Sequence, residues 1–290
     1  MSSPAKDRVW SRMGREIEHE LTLLNDQFCF FLFLEYQFFD ELPAAGTTGA
    51  DQFTTDAFKG NRYASKIHVQ VRDLPSFRNA HRGASFGAYF TNSYEVAASF
   101  AERALGLLQE TSRVPLILPA RVQEGPEIYY QRTLRSWGYS PPAPRLIDTL
   151  SFFRHRRNAL THLHKTPGLP YTRLVRRLGN ALNAFWTRAR VQIDFRQAST
   201  GALTERETLD LLKLMRIVIQ RLDAHFISII DVPGIVRSEA NRLFGSKKVR
   251  MNKYVAGERI QKLRYEITSE FGVSPPESLL RAAAETVGTK

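Results

Sequence analysis

Apolar positions along this chain recur mainly at helical spacing. Between residues 8 and 42, Ile17, Leu21, Leu24, Phe28, Phe31 and Leu32 keep that spacing with no internal proline, which predicts one long helix or two kinked ones. Its second half, Phe28 to Leu34, is apolar almost all round, the pattern of a helix buried in a core or an oligomer interface. Ser93 to Gln109 predicts the next helix. Ser93 is placed to cap it, Glu95 lies near the positive end of its dipole, and Val96, Phe100, Ala104 and Leu107 or Leu108 form the stripe. The proline-rich stretch Gly138 to Pro144 precedes a helix that starts near Arg145 or Leu146. That helix runs through Ile147, Leu150 and Phe153 toward His164, with Pro167 and Pro170 expected to end it. Residues 174 to 190 form a basic amphipathic segment. Thr204 to Ile229 is the cleanest helix, opened by the T-x-x-E capping pattern of Thr204 and Glu207 ahead of Leu211, Leu214, Met215, Val218 and Leu222.

Two regions break this pattern. Residues 43 to 92 are richer in Gly, Pro, Asn and Thr, and Lys66 to Val71 alternates apolar and polar, which predicts one or two short strands within an insertion or long loop. After Asp231-Val232-Pro233-Gly234 the composition shifts to a basic, helical tail with a polar terminus expected to fray. The expected architecture is all-α: a helical bundle over 1–232, an insertion at about 43–92, and a basic helical extension over 233–290.

Composition narrows the functional classes. The single cysteine, Cys29, lies in a Phe/Leu run and cannot form an intramolecular bridge, which fits a packing role in a reducing cytoplasm. Acidic residues interrupt the N-terminus where a signal peptide needs an apolar run. Phe28 to Leu34 falls short of the about 20 apolar residues that a membrane span requires, so a soluble cytoplasmic protein with no membrane partner is expected. The formal net charge of +12 favours a polyanionic partner. That charge is focused. Residues 145 to 190 carry ten Lys and Arg against Asp148 alone, and residues 237 to 264 carry nine against Glu239 and Glu258.

The first basic segment also carries the chemistry. In Ser151 to Lys165, SFFRHRRNALTHLHK, Arg157 and Asn158 are followed after three residues by His162. Cleaving RNA without a metal requires a group that moves protons at the attacking 2′-hydroxyl or the leaving 5′-oxygen, and a cation that stabilises the charged phosphorane. Histidine and arginine meet those needs, and an unperturbed histidine titrates near pH 6.5. At about 100° per residue, His155, Asn158 and His162 share one helix face, whereas Arg157 and His162 are about 140° apart. Arginine's length, or a bend near Arg157, must bring that pair together. Arg154, His155, Arg156, His164 and Lys165 are expected to face RNA, as are Lys247, Lys248, Arg250 and Lys253 of the tail; a solvated basic face is the plain alternative.

The order Arg157-Asn158-x-x-x-His162 resembles the R-x4-6-H signature of the HEPN superfamily, in which a polar residue, often Asn, follows the arginine. The helices on either side of the motif are similar as well. The resemblance implies a helical bundle that commonly dimerises, so that two motifs face one cleft. It also implies a metal-independent endoribonuclease of the kind found in toxins and phage-defence proteins, with an antitoxin or sensor protein as a regulating partner and no cofactor. Arg157, Asn158 and His162 would be its catalytic residues. The segment 43–92 and the tail depart from a minimal domain of that family.

Other chemistries lack their residues. His155, His162 and His164 are badly spaced for one metal, since i to i+7 spans about 10 Å along a helix and i to i+2 points to different faces. The sequence has no G-x-x-x-x-G-K-[ST] loop, H-E-x-x-H pair, zinc-type cysteine cluster or G-x-S-x-G elbow. Two alternatives stay open: a catalytically silent HEPN-like module that binds nucleic acid or protein, and a protein whose tail, Arg237 to Arg264, is the main nucleic-acid reader.

Overall fold

A computed structural model describes residues 10–40, 42, 49–122, 124–161, 169–196, 203–246 and 250–288. Among them are eleven α-helices and no strand, so the fold is all-α. In chain order these are α1 (Arg12–Asp40), α2 (Thr54–Ala57), α3 (Ala64–Ile67), α4 (Leu74–Thr111), α5 (Pro126–Ser136), α6 (Pro144–Thr161), α7 (Leu169–Trp186), α8 (Glu205–Ile229), α9 (Val232–Phe244), α10 (Lys253–Phe271) and α11 (Glu277–Thr286). No helix among the described residues is long and apolar enough to cross a membrane.

The centre is a three-helix contact of α1, α4 and α8, with α5, α6 and α7 layered on one side. Ile17, Leu21 and Phe28 of α1 meet Phe86, Phe90, Phe100 and Leu108 of α4 and Leu214, Met215, Val218 and Phe226 of α8, all buried in one continuous core. The start of α8 follows the sequence: the Thr204 hydroxyl accepts from the Glu207 amide at 3.2 Å, satisfying one of the orphan amides of the first turn. The Glu207 carboxylate accepts from Arg156 on α6 at 3.2 Å, which ties α6 to α8.

Three expectations are corrected. Residues 74–92 belong to α4, and Ser93 is a buried mid-helix residue rather than a cap. Pro75 stands in the first turn, where its missing N–H costs nothing, and Phe86 and Phe90 extend the apolar stripe toward the N-terminus. Lys66 to Val71 contains the end of α3 and a left-handed His68 (φ 41°), with a single bridge from Phe53 to Gln70 in place of a sheet. Pro170 lies in the first turn of α7, so it opens that helix instead of closing α6.

The segment after Asp231 folds as α9, α10 and α11. These pack on one another, α9 against α4 and α10 against α1. Ile235, Val236, Leu263, Ile267 and Leu280 are buried in the same core as the rest of the bundle.

Candidate active site

The motif helix, α6, buries Leu146, Leu150 and Phe153, and its Arg157 reaches α4 while Ser151 and Arg154 reach α5. Arg157 is the best-defined member of the motif. Its side chain is about a third exposed (33%); Nη2 donates to Glu95 of α4 and Nη1 to Asn158 Oδ1 at 3.0 Å. Its Nε is buried without a hydrogen-bond partner among the described residues. The head group is thus fixed by a carboxylate from the neighbouring helix and by the residue that follows it in the motif.

A second group lies one turn earlier. Arg154 Nε donates to Glu127 Oε1 of α5 at 2.9 Å, and the Ser151 hydroxyl donates to the same oxygen at 2.7 Å. Arg154 Nη2 lies 3.3 Å from His155 Nε2. Arginine can only donate, so His155 accepts there as a neutral imidazole. Burial, then the neighbouring Arg154 charge, lower the His155 pKa below its ordinary value. Gly125 makes room for this arrangement: a Cβ there would lie 2.3 Å from Arg154 Nε and 2.5 Å from Glu127 Oε2.

Tyr94 joins the two groups. It is buried on α4 and feels the charges of Glu127, Arg154, Glu95 and Arg157. Burial, reinforced by Glu127, pushes that hydroxyl far above its ordinary pKa and keeps it protonated. The result is an anchored cluster of two arginines, two carboxylates, a neutral histidine and a phenol. It can present fixed N–H donors to an anion, and its basic groups are held in defined protonation states.

The expected site residues separate into four sets. Arg157 and Asn158 are brought together, with Arg154 and His155 beside them. Arg156 is corrected: it is only 3% exposed in its side chain and pairs with Glu207, so it braces the bundle instead of facing solvent. It falls on the apolar side of α6, between the angular positions of Phe152 and Phe153. Arg154 is largely occupied by Glu127, which limits its use as a free phosphate binder. Arg250 and Lys253 are exposed, on the far side of α9 in chain order. His162, His164, Lys165, Lys247 and Lys248 lie outside the described residues.

Glu127 and Ser151 were not legible as site residues. Glu95 was visible only as a helix-dipole residue, and nothing local pairs it with an arginine 62 residues later. The chain matches no family model, no curated protein and no solved structure.

Proposed function

We propose that the chain is a HEPN-type, metal-independent endoribonuclease, acting in the cytoplasm as a homodimer in a toxin or phage-defence system with an antitoxin or sensor as its regulator. The observation that carries the reading is Arg157. The first member of an Arg-Asn-x-x-x-His motif has its head group held at the protein surface by Glu95 and by Asn158, the motif's own second member.

In the proposed reaction the RNA 2′-oxygen attacks the adjacent phosphorus and loses its proton, and the bond from phosphorus to the 5′-oxygen breaks as that oxygen gains one. His162 carries protons. Arg157 stabilises the charge on the non-bridging oxygens, and Asn158 holds the guanidinium in position. The products are a 2′,3′-cyclic phosphate and a 5′-hydroxyl. The decisive experiment incubates the purified chain with total RNA in EDTA, beside His162→Ala and Arg157→Ala. Cleavage with cyclic phosphate ends is expected, falling about 10²- to 10³-fold in either variant even at saturating RNA, since both act mainly in the transition state. Activity that disappears with the chelator overturns the mechanism.

One observation favours a second reading. An arginine tied to Glu95 can serve simply to hold α6 on α4, as it would in a catalytically silent module. That module binds RNA and yields no cyclic phosphate in the same assay.

A further inference from the structure

The arginines of α6 and α7 differ in how they are satisfied. On α6, Arg145, Arg154, Arg156 and Arg157 each have a carboxylate partner. On α7 and the 3-10 turn that follows it (Thr187–Ala189), Arg173, Arg176, Arg177 and Arg188 are exposed, and none enters an ion pair among the described residues. No acidic residue occurs anywhere between Asp148 and Asp194, and Asp194 is occupied by Arg196.

These side chains form a stripe. Arg173, Arg176 and Arg177 fall within about 100° of one another around the helix, and Arg188 extends the exposed charge past its end. Like charges at i, i+3 and i+4 destabilise a helix, and here no neighbouring carboxylate relieves them. Folding is served by the other face of α7, where Leu174, Val175, Leu178, Leu182 and Trp186 are buried. An anionic partner would relieve that repulsion. A lipid surface is a poor fit, because an interfacial helix inserts an apolar face, and the large apolar side chains of α7 are turned into the core. A phosphodiester backbone fits: it presents successive anions to guanidinium forks and asks for no apolar contact.

We propose that the exposed arginine face of α7, opposite the buried face by which α7 packs on α6, is a track that holds the RNA phosphate backbone. This rests on the ribonuclease reading above. The contacts go to phosphates, so the track binds the strand without regard to base sequence.

The test titrates a fluorescein-labelled oligoribonucleotide of mixed sequence with the full chain carrying His162→Ala, so that binding is read without cleavage, across about 50 to 200 mM salt. The combined Arg173→Gln, Arg176→Gln and Arg177→Gln changes are made in that background, beside the three Arg→Lys changes, with thermal melts confirming that both variants fold. The glutamine variant is expected to lose affinity about tenfold or more and to flatten the log-log salt slope by about 2, at about 0.7 per lost contact to a single strand. The lysine variant keeps most of that slope. If the glutamine variant binds with unchanged affinity and slope, the track is overturned and RNA binding stands. If the parent chain binds no RNA, the underlying reading falls with it. Binding to phosphatidylserine vesicles without binding to RNA replaces the occupant by a membrane.

Discussion

His225 shows how one buried ring ties the fold to pH. It is half-buried on α8, and its Nε2 lies 3.0 Å from the Ser140 carbonyl, which can only accept, so Nε2 carries the proton. Nδ1 is buried with no partner among the described residues, so protonating it would strand a second N–H and a charge. Burial accordingly lowers the His225 pKa. The unfolded chain takes up this proton near pH 6.5, while the folded chain resists until lower pH. The contribution to stability is complete above the unfolded value and is lost as pH falls through the window toward the folded value. Unfolding in urea between about pH 7.5 and 5.5 should show stability falling with pH, and His225→Gln should remove at most about 1.4 kcal/mol per pH unit of that slope. Coincident slopes would remove His225 from the account; the parallel shift at His155 leaves a residual dependence in the variant. At this scale the sequence was informative about residue types and not about partners. Arg156 and Arg157 are neighbours in a basic run, yet one is buried on Glu207 and the other reaches Glu95, because helix phase and distant carboxylates decide their fates.

Between helices, a close junction joins the end of α4 to the start of α9. A Cβ on Gly234 would lie 2.2 Å from the Thr111 carbonyl oxygen and 2.8 Å from Asp231 Oδ2, so backbone approaches backbone there, and Arg113 pairs with Asp231 at 2.6 Å across the same corner. Gly87, in the middle of α4, has nothing within 4 Å of its Cβ position. The two glycines should therefore respond in opposite ways to alanine. Gly234→Ala is expected to cost about 1 to 3 kcal/mol by overpacking, and Gly87→Ala to gain about 0.5 to 1 kcal/mol by removing a flexible residue from a helix interior. Equal effects in chemical denaturation would show that α9 is not held against α4 as described. Helices α1 and α8 and the start of α6 were legible to within a few residues. The first half of α4 was not, because Pro75, Gly83 and Gly87 look like breakers in sequence, although a proline in the first turn and a glycine in open space interrupt nothing. The tail looked like an appendage because its charge dominates its composition, whereas its apolar residues complete the core.

For the molecule as a whole, α1 presents apolar residues on two faces. Phe28 and Leu32 are buried against α4, while Phe30, Phe33 and Leu34 are 59%, 60% and 50% exposed, with Leu23 and Phe38 on the same outer side. The all-round apolar pattern of Phe28 to Leu34 predicted a core or an oligomer interface; the chain's own core accounts for one face only. Phe30 and Phe33 lie ring beside ring, with centroids 6.4 Å apart, on the other. A cluster of exposed apolar side chains of this kind marks an interaction site, and the proposed homodimer supplies its occupant: α1 of a second copy, placing two Arg157 motifs in one assembly. Burying a phenylalanine contributes about 1.5 to 3 kcal/mol. Replacing both Phe30 and Phe33 by Asp should therefore weaken association about 10²- to 10⁴-fold and turn a dimer at micromolar concentration into a monomer in sedimentation. Both side chains point away from the core, so the thermal melt of the isolated chain should move little, and cleavage should fall with the dimer fraction and recover as protein concentration rises. A parent chain that sediments as a monomer at micromolar concentration and still cleaves RNA would exclude the dimer and leave each Arg157 cluster to work alone.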